Sequence, residues 1–140
     1  MSKVLRIAAA ACVLALLLPS CATSTADMPE ADKTRHYAGS YDDVWTAIQH
    51  AVSELKCMTV TTDKAGGSLQ AKCIRSNFGK AMGEAPWGLY VSISQERGGV
   101  RVEANSEYLH PGAIGGGSES RVYVTRFFAA MDATLKPSVP

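Results

Sequence analysis

The 140-residue chain is 46% apolar and 19% charged, the balance of a folded domain and not of a disordered segment. With 14 basic and 13 acidic side chains, scattered along the sequence, it has no basic patch of the kind that phosphate contacts require, which excludes nucleic acid as a partner. Its four cysteines and three histidines share no zinc-ligand spacing, so neither a metal nor another cofactor is expected.

Lys3 and Arg6 precede an uncharged apolar run from Ile7 to Leu18. The run is too short for a membrane-spanning helix, which needs about 20 apolar residues, and it reads as the hydrophobic part of an export signal. At its end, Leu18-Pro19-Ser20-Cys21 resembles the lipobox of bacterial lipoproteins. Leu18 holds the large-aliphatic position, Ser20 is the small residue before the cysteine, and Pro19 is a less usual occupant of its place. The resemblance implies removal of residues 1–20, a diacylglycerol on the Cys21 thiol and acylation of the new amino group. Several acyl chains hold a protein at a membrane where one does so only marginally. Ala22 stands where an Asp would imply retention in the inner membrane, so the periplasmic face of the outer membrane is the expected location. An ordinary secretory signal, with Cys21 incidental, is the alternative. Loss of residues 1–20 also removes two of the 14 basic side chains, leaving twelve against 13 acidic ones.

From Ala22 to about His36 the chain has no apolar period and contains Pro29, so residues 21–36 are expected to form a lipidated flexible tether with a typical reach of about 20 Å. A single domain is expected over residues 37–137. Ser40 is a good N-cap, with Asp42 and Asp43 in the first turn. Val44, Ala47, Ile48, Ala51, Val52 and Leu55 then fall on one face of a helix running from Tyr41 to about Lys56, with Trp45 at its edge. His50 and Glu54 lie on the solvent side.

Two hairpins follow. Cys57 to Thr62 and Ser68 to Ile74 flank the turn signal Asp63 to Gly67. In the second, Arg97-Gly98 as turn residues pairs Ile93 with Val102 and Val91 with Ala104 on the buried face, and Ser92 with Glu103 and Ser94 with Arg101 on the solvent face. After Gly115-Gly116-Gly117, Ser118 can cap a last helix carrying Val124, Phe127, Phe128, Met131 and Leu135, closed by Lys136 and Pro137. The β-branched residues from Val122 to Thr125 leave a short strand there as the alternative. The expected fold is α+β, in the order α-β-β-β-β-α, with a four-stranded antiparallel sheet and two helices packed on one face.

With Cys12 removed and Cys21 lipidated, Cys57 and Cys73 are the remaining thiols, and an oxidising periplasm favours a disulfide between them over two free thiols. The register that sets Cys57 opposite Cys73 also sets Met58 opposite Lys72 and Val60 opposite Gln70. Matching Met58 and Val60 with Leu69, Ala71 or Cys73 needs a shift that turns Cys57 to the other face. A bulge at Gly66-Gly67 reconciles the two.

Histidines 36, 50 and 110 share no local ligand spacing. Gly116 to Ser120 lacks the second glycine of a nucleophile elbow and no histidine follows it, and no Gly-Lys-Ser/Thr ends a phosphate loop. The segments Ser76 to Trp87 and Glu107 to Gly117 are longer than hairpin turns need. Their apolar residues Phe78, Met82, Trp87, Tyr108, Leu109 and Ile114 are the candidate partner-binding surface, although Trp87 also reads as an inward residue opening the third strand. From Tyr41-Asp42-Asp43-Val44-Trp45 through the Asp63 to Gly67 turn to the final helix, the pattern resembles the small α+β domains of envelope lipoproteins, including those that accompany the outer-membrane barrel-assembly machine. That resemblance implies a non-enzymatic binding or scaffolding module with an envelope protein partner. A small-ligand carrier and, more remotely, an envelope hydrolase are the alternatives.

Overall fold

The computed structural model describes residues 25–74, 87–109 and 117–137, without the side chains of 117–119. The signal segment 1–20 and Cys21 lie outside the described residues. The elements in chain order are α1 (Glu30–Lys33), β1 (Thr34–Tyr37), α2 (Tyr41–Glu54), β2 (Met58–Asp63), β3 (Ser68–Cys73), β4 (Trp87–Glu96), β5 (Gly99–Tyr108) and α3 (Gly117–Thr134). The class is α+β as expected. The sheet, however, has five strands, in the order β1-β5-β4-β3-β2, where four were expected, and a short third helix is present.

The helical stripe of α2 is buried in full, from Val44 through Leu55, and Ser40 accepts a hydrogen bond from the Asp43 backbone N–H as its cap. Helix α3 buries Tyr123, Val124, Phe127, Phe128 and Met131. The β-branched residues at its start do not form a strand, because Val124 lies in the core and tertiary packing overrides a weak local preference. The β4–β5 hairpin has the expected register, with Ile93 opposite Val102, Val91 opposite Ala104, Ser92 opposite Glu103 and Ser94 opposite Arg101. Its inner residues meet the two helices.

The extra strand comes from the segment expected as tether. Thr34 to Tyr37 pair with Glu103 to Val100 on the open edge of β5, and further back Thr25 donates its N–H to the Ser106 carbonyl at 2.9 Å. Only Tyr37 among these residues offers a large apolar body, so no apolar period announces the strand. Its inward set is Arg35 and Tyr37. The Arg35 guanidinium lies 4.9 Å from the centre of the Phe128 ring, and Tyr37 is fully buried with its hydroxyl donating to Asp132 of α3 at 2.7 Å. Burial, then the bond to Asp132, pushes the Tyr37 phenol far above its ordinary pKa. Gly99 is needed opposite: a Cβ there would collide with the Tyr37 carbonyl oxygen.

In the first hairpin the disulfide Cys57–Cys73 forms, with 4.2 Å between Cα atoms. Met58 faces Lys72 and Thr59 faces Ala71, after which Thr61 faces Gln70, so Val60 is the extra residue of a bulge. The irregularity expected at Gly66-Gly67 therefore sits in β2 instead. The turn cannot yield, because Asp63 Oδ1 accepts the Gly66 N–H at 2.8 Å and the Gly67 carbonyl accepts the Ile93 N–H at 2.8 Å. Strand β2 lies at the edge of the sheet and, among the described residues, has no second neighbour to keep in step. All six of its residues are exposed.

Removing Tyr37 tests the anchoring of β1. Tyr37→Ala is expected to lower unfolding free energy by about 3–5 kcal/mol and Tyr37→Phe by about 1 kcal/mol, read by urea denaturation followed by circular dichroism. Equal effects of the two would contradict a role for the buried ring.

Candidate functional site

Of the residues singled out from sequence, the disulfide end of the sheet gathers Cys57, Cys73, Trp87, Tyr108 and Leu109. Helix α2 closes with Lys56 in the left-handed region at φ 57, its N–H donating to Ser53 O and that of Cys57 to Val52 O. This is the αL termination usually made by glycine, and it reverses the chain so that Cys57 meets Cys73. Cys73 pairs with Trp87 and Trp87 with Tyr108 across the sheet. The Trp87 ring is 5.0 Å from Tyr108 and 5.5 Å from Tyr123 of α3, so an aromatic cluster seals the gap between sheet and helix.

This arrangement sorts the candidate contact residues. Trp87 is only 5% exposed and packs inward, which removes it from a contact surface. Its Nε1, like the Ser106 hydroxyl, is buried without a hydrogen-bond partner among the described residues. Tyr108 and Leu109 are half-buried. Phe78, Met82 and Ile114 lie outside the described residues, as does His110.

Sequence reasoning missed a polar network on the outer sheet face. Arg101 Nη2 contacts Glu30 Oε1 at 3.0 Å and Glu103 Oε2 at 3.1 Å. Glu103 Oε1 accepts from Asn105 Nδ2 at 3.0 Å, and Thr25 Oγ1 donates to Asn105 Oδ1 at 3.3 Å. The Thr34 hydroxyl, then Lys33 and Arg101, hold the Glu30 carboxyl below its ordinary pKa despite partial desolvation. The chain thus pins the N-terminal segment along β5. With Arg35 sharing the inward side with Tyr37, Thr34-Arg35-His36-Tyr37 carries no apolar alternation that would have signalled it. On the same face Tyr90 lies over Gly88, where a Cβ would meet the Tyr90 ring, and its hydroxyl donates to Glu107 Oε1 at 2.7 Å.

At the opposite end the Tyr41 hydroxyl donates to the Lys64 carbonyl at 2.8 Å, and Lys64 pairs with Asp42 at 2.8 Å, joining the start of α2 to the first hairpin turn. Tyr41, Lys64, Ala65 and Gln95 line an open depression of about 560 Å³. Burial, then the carboxylate of Asp63, raises the Tyr41 pKa. His36 approaches Glu96 at 3.2 Å, and His50, on the exposed side of α2 as expected, approaches Glu54 at 3.9 Å. Among the described residues no group of three His, Cys, Asp or Glu side chains could hold a metal ion, and no helix is long and apolar enough to cross a membrane.

Architecture and outer-face geometry define the chain as a two-layer α+β sandwich with one wet sheet face. Comparison with known protein families and with curated proteins finds no match to this sequence.

The Tyr90–Glu107 bond has a pH signature. The hydrogen bond to Glu107, then burial, pushes the Tyr90 phenol up to about 12 from 10. The folded state holds that proton more tightly than the unfolded chain, so the bond's contribution is complete below pH 10 and is lost between about pH 10 and 12. Tyr90→Phe is expected to be less stable than wild type at pH 8 and to lose part of the decline in melting temperature across that alkaline window. An identical alkaline profile in the two proteins would contradict the assignment.

Proposed function

We propose that this chain is an exported bacterial lipoprotein, anchored through acyl groups on Cys21 at the periplasmic face of the outer membrane, whose domain is a non-enzymatic binding or scaffolding module of the cell envelope. The observation that carries the reading is the apolar run Ile7 to Leu18 ending in Leu18-Pro19-Ser20-Cys21. The Cys57–Cys73 disulfide supports it, because such bonds persist in oxidising compartments and are rare in the cytosol. The domain supplies a surface on which a protein partner can act, the polar outer face around Arg101, Glu103 and Tyr90.

A small-ligand carrier is the second reading, favoured by the depression at Tyr41, Lys64, Ala65 and Gln95, whose volume lies in the range of ligand sites. That depression opens outward, whereas ligand carriers enclose most of their cargo, and the space between sheet and helices is filled by residues such as Ile48, Leu89, Phe127 and Met131. The partner-binding reading is therefore preferred.

Expression of full-length protein in a Gram-negative host with radiolabelled palmitate tests the anchor. Label is expected on wild type and absent from Cys21→Ala, which should accumulate as uncleaved precursor. Equal labelling of the two, or an unlabelled wild type, would overturn the reading.

A further inference from the structure

We infer that the disulfide end of the domain lies directly against the bilayer, with the strands rising from the membrane and the Tyr41–Lys64 end pointing away from it. The inference rests on the proposed lipidation of Cys21. It follows from where Thr25, four residues after Cys21, is fastened to the sheet.

Thr25 is held to the sheet by both its backbone and its side chain. Its N–H donates to the Ser106 carbonyl at 2.9 Å and its hydroxyl oxygen accepts the Ser106 N–H at 2.9 Å. Ser106 lies two residues before the end of β5, at the same end of the sheet as Cys57, Cys73 and Trp87. From Cys21 to Thr25 the chain can span at most about 14 Å when fully extended. Acyl chains keep Cys21 at the hydrocarbon boundary, and the headgroup layer outside it is about 5–8 Å thick. Thr25 then stands less than about 10 Å clear of the headgroups, too little for the domain to turn its other end to the membrane.

The side chains at that end suit an interfacial position. The exposed large hydrophobic residues among the described ones are Met58, Val60 and Val122, 66%, 52% and 48% exposed. Met58 opens β2 at this end and Val60 follows it. Val122 lies early in α3, one residue before the Tyr123 whose ring packs at a tilt against Trp87. Half-buried Tyr108 and Leu109 end β5 here, and tyrosine is favoured at the level of lipid headgroups. Charged Lys56, Lys72 and Glu107 stand among them at this end. The far end carries Lys64, Asp42 and Arg97, and strands of six to ten residues place it some 20–30 Å further from the surface.

Photo-crosslinking in intact cells tests the orientation. Full-length protein with p-benzoylphenylalanine at Met58 or Leu109, near the membrane, is compared with protein carrying it at Lys64 or Arg97, in cells whose phospholipids are labelled with radioactive phosphate. Several-fold more phospholipid label is expected at Met58 and Leu109. A Gly/Ser insertion of about 15 residues between Ser24 and Thr25 adds roughly 20 Å of reach and should abolish the contrast. Palmitate labelling of the same proteins reads the anchor separately. Lipidated wild type with equal or reversed phospholipid labelling overturns the orientation and leaves the anchor standing, and a contrast that survives the insertion overturns the short link from Cys21 to Thr25 as its cause. Protein without palmitate overturns the anchor, and the orientation with it.

Discussion

The covalent bond between Cys57 and Cys73 is the constraint on which the outer edge of this sheet depends. Two helices packed side by side, each about 10 Å across, cover roughly four strands spaced near 4.8 Å. This sheet has five. The β1 edge is covered, since Tyr37 reaches Asp132 and Arg35 lies on Phe128. The uncovered strand is β2, which buries no side chain and adds nothing to the core. Its attachments among the described residues are the ladder to β3, the Asp63 turn, which Tyr41 and Asp42 tie to α2, and the disulfide. The bond fixes the register at one end, the turn fixes it at the other, and Val60 absorbs the one-residue mismatch as a bulge. A bulge also suits an exposed edge, because it interrupts the row of backbone groups on which another chain could pair.

The same end of the molecule collects the aromatic cluster of Trp87, Tyr108 and Tyr123 and the point where Thr25 joins the sheet. In a lipid-anchored protein this would be the membrane-facing end, and the disulfide would secure the end of the edge strand β2 nearest the lipid surface. The polar face around Arg101 and Glu103 would then stand as a wall open to the periplasm, with the Tyr41 depression at its top. The polar groups on this face are already tied to one another, which makes it a rigid surface and not an adaptable one.

Much of the fold was legible in the sequence. The stripe from Val44 to Leu55 and the alternation around Arg97-Gly98 gave α2 and the β4–β5 register residue by residue, because one face of each is buried and one is wet. Strand β1 escaped notice because its stability is non-local. Its backbone pairs with β5, Tyr37 reaches 95 residues along the chain to Asp132, and Glu30 reaches Arg101. The first hairpin was half legible: pairing of the cysteines and a bulge were both foreseen. The bulge fell in β2 and not in the glycine turn because Gly67 is held by Ile93, a contact that no local pattern reveals. At the site, Trp87 could be read either way, and its neighbours Tyr108 and Tyr123 decided for the interior.

If β2 is held by the disulfide and not by burial, reduction must loosen that strand before any other. Hydrogen exchange of the protein with and without a thiol reductant measures this most directly. The account requires amides of Thr59 to Asp63 to lose protection on reduction while those of β4, β5 and α3 keep theirs. Unchanged protection in β2, or a uniform loss across the whole sheet, would contradict it.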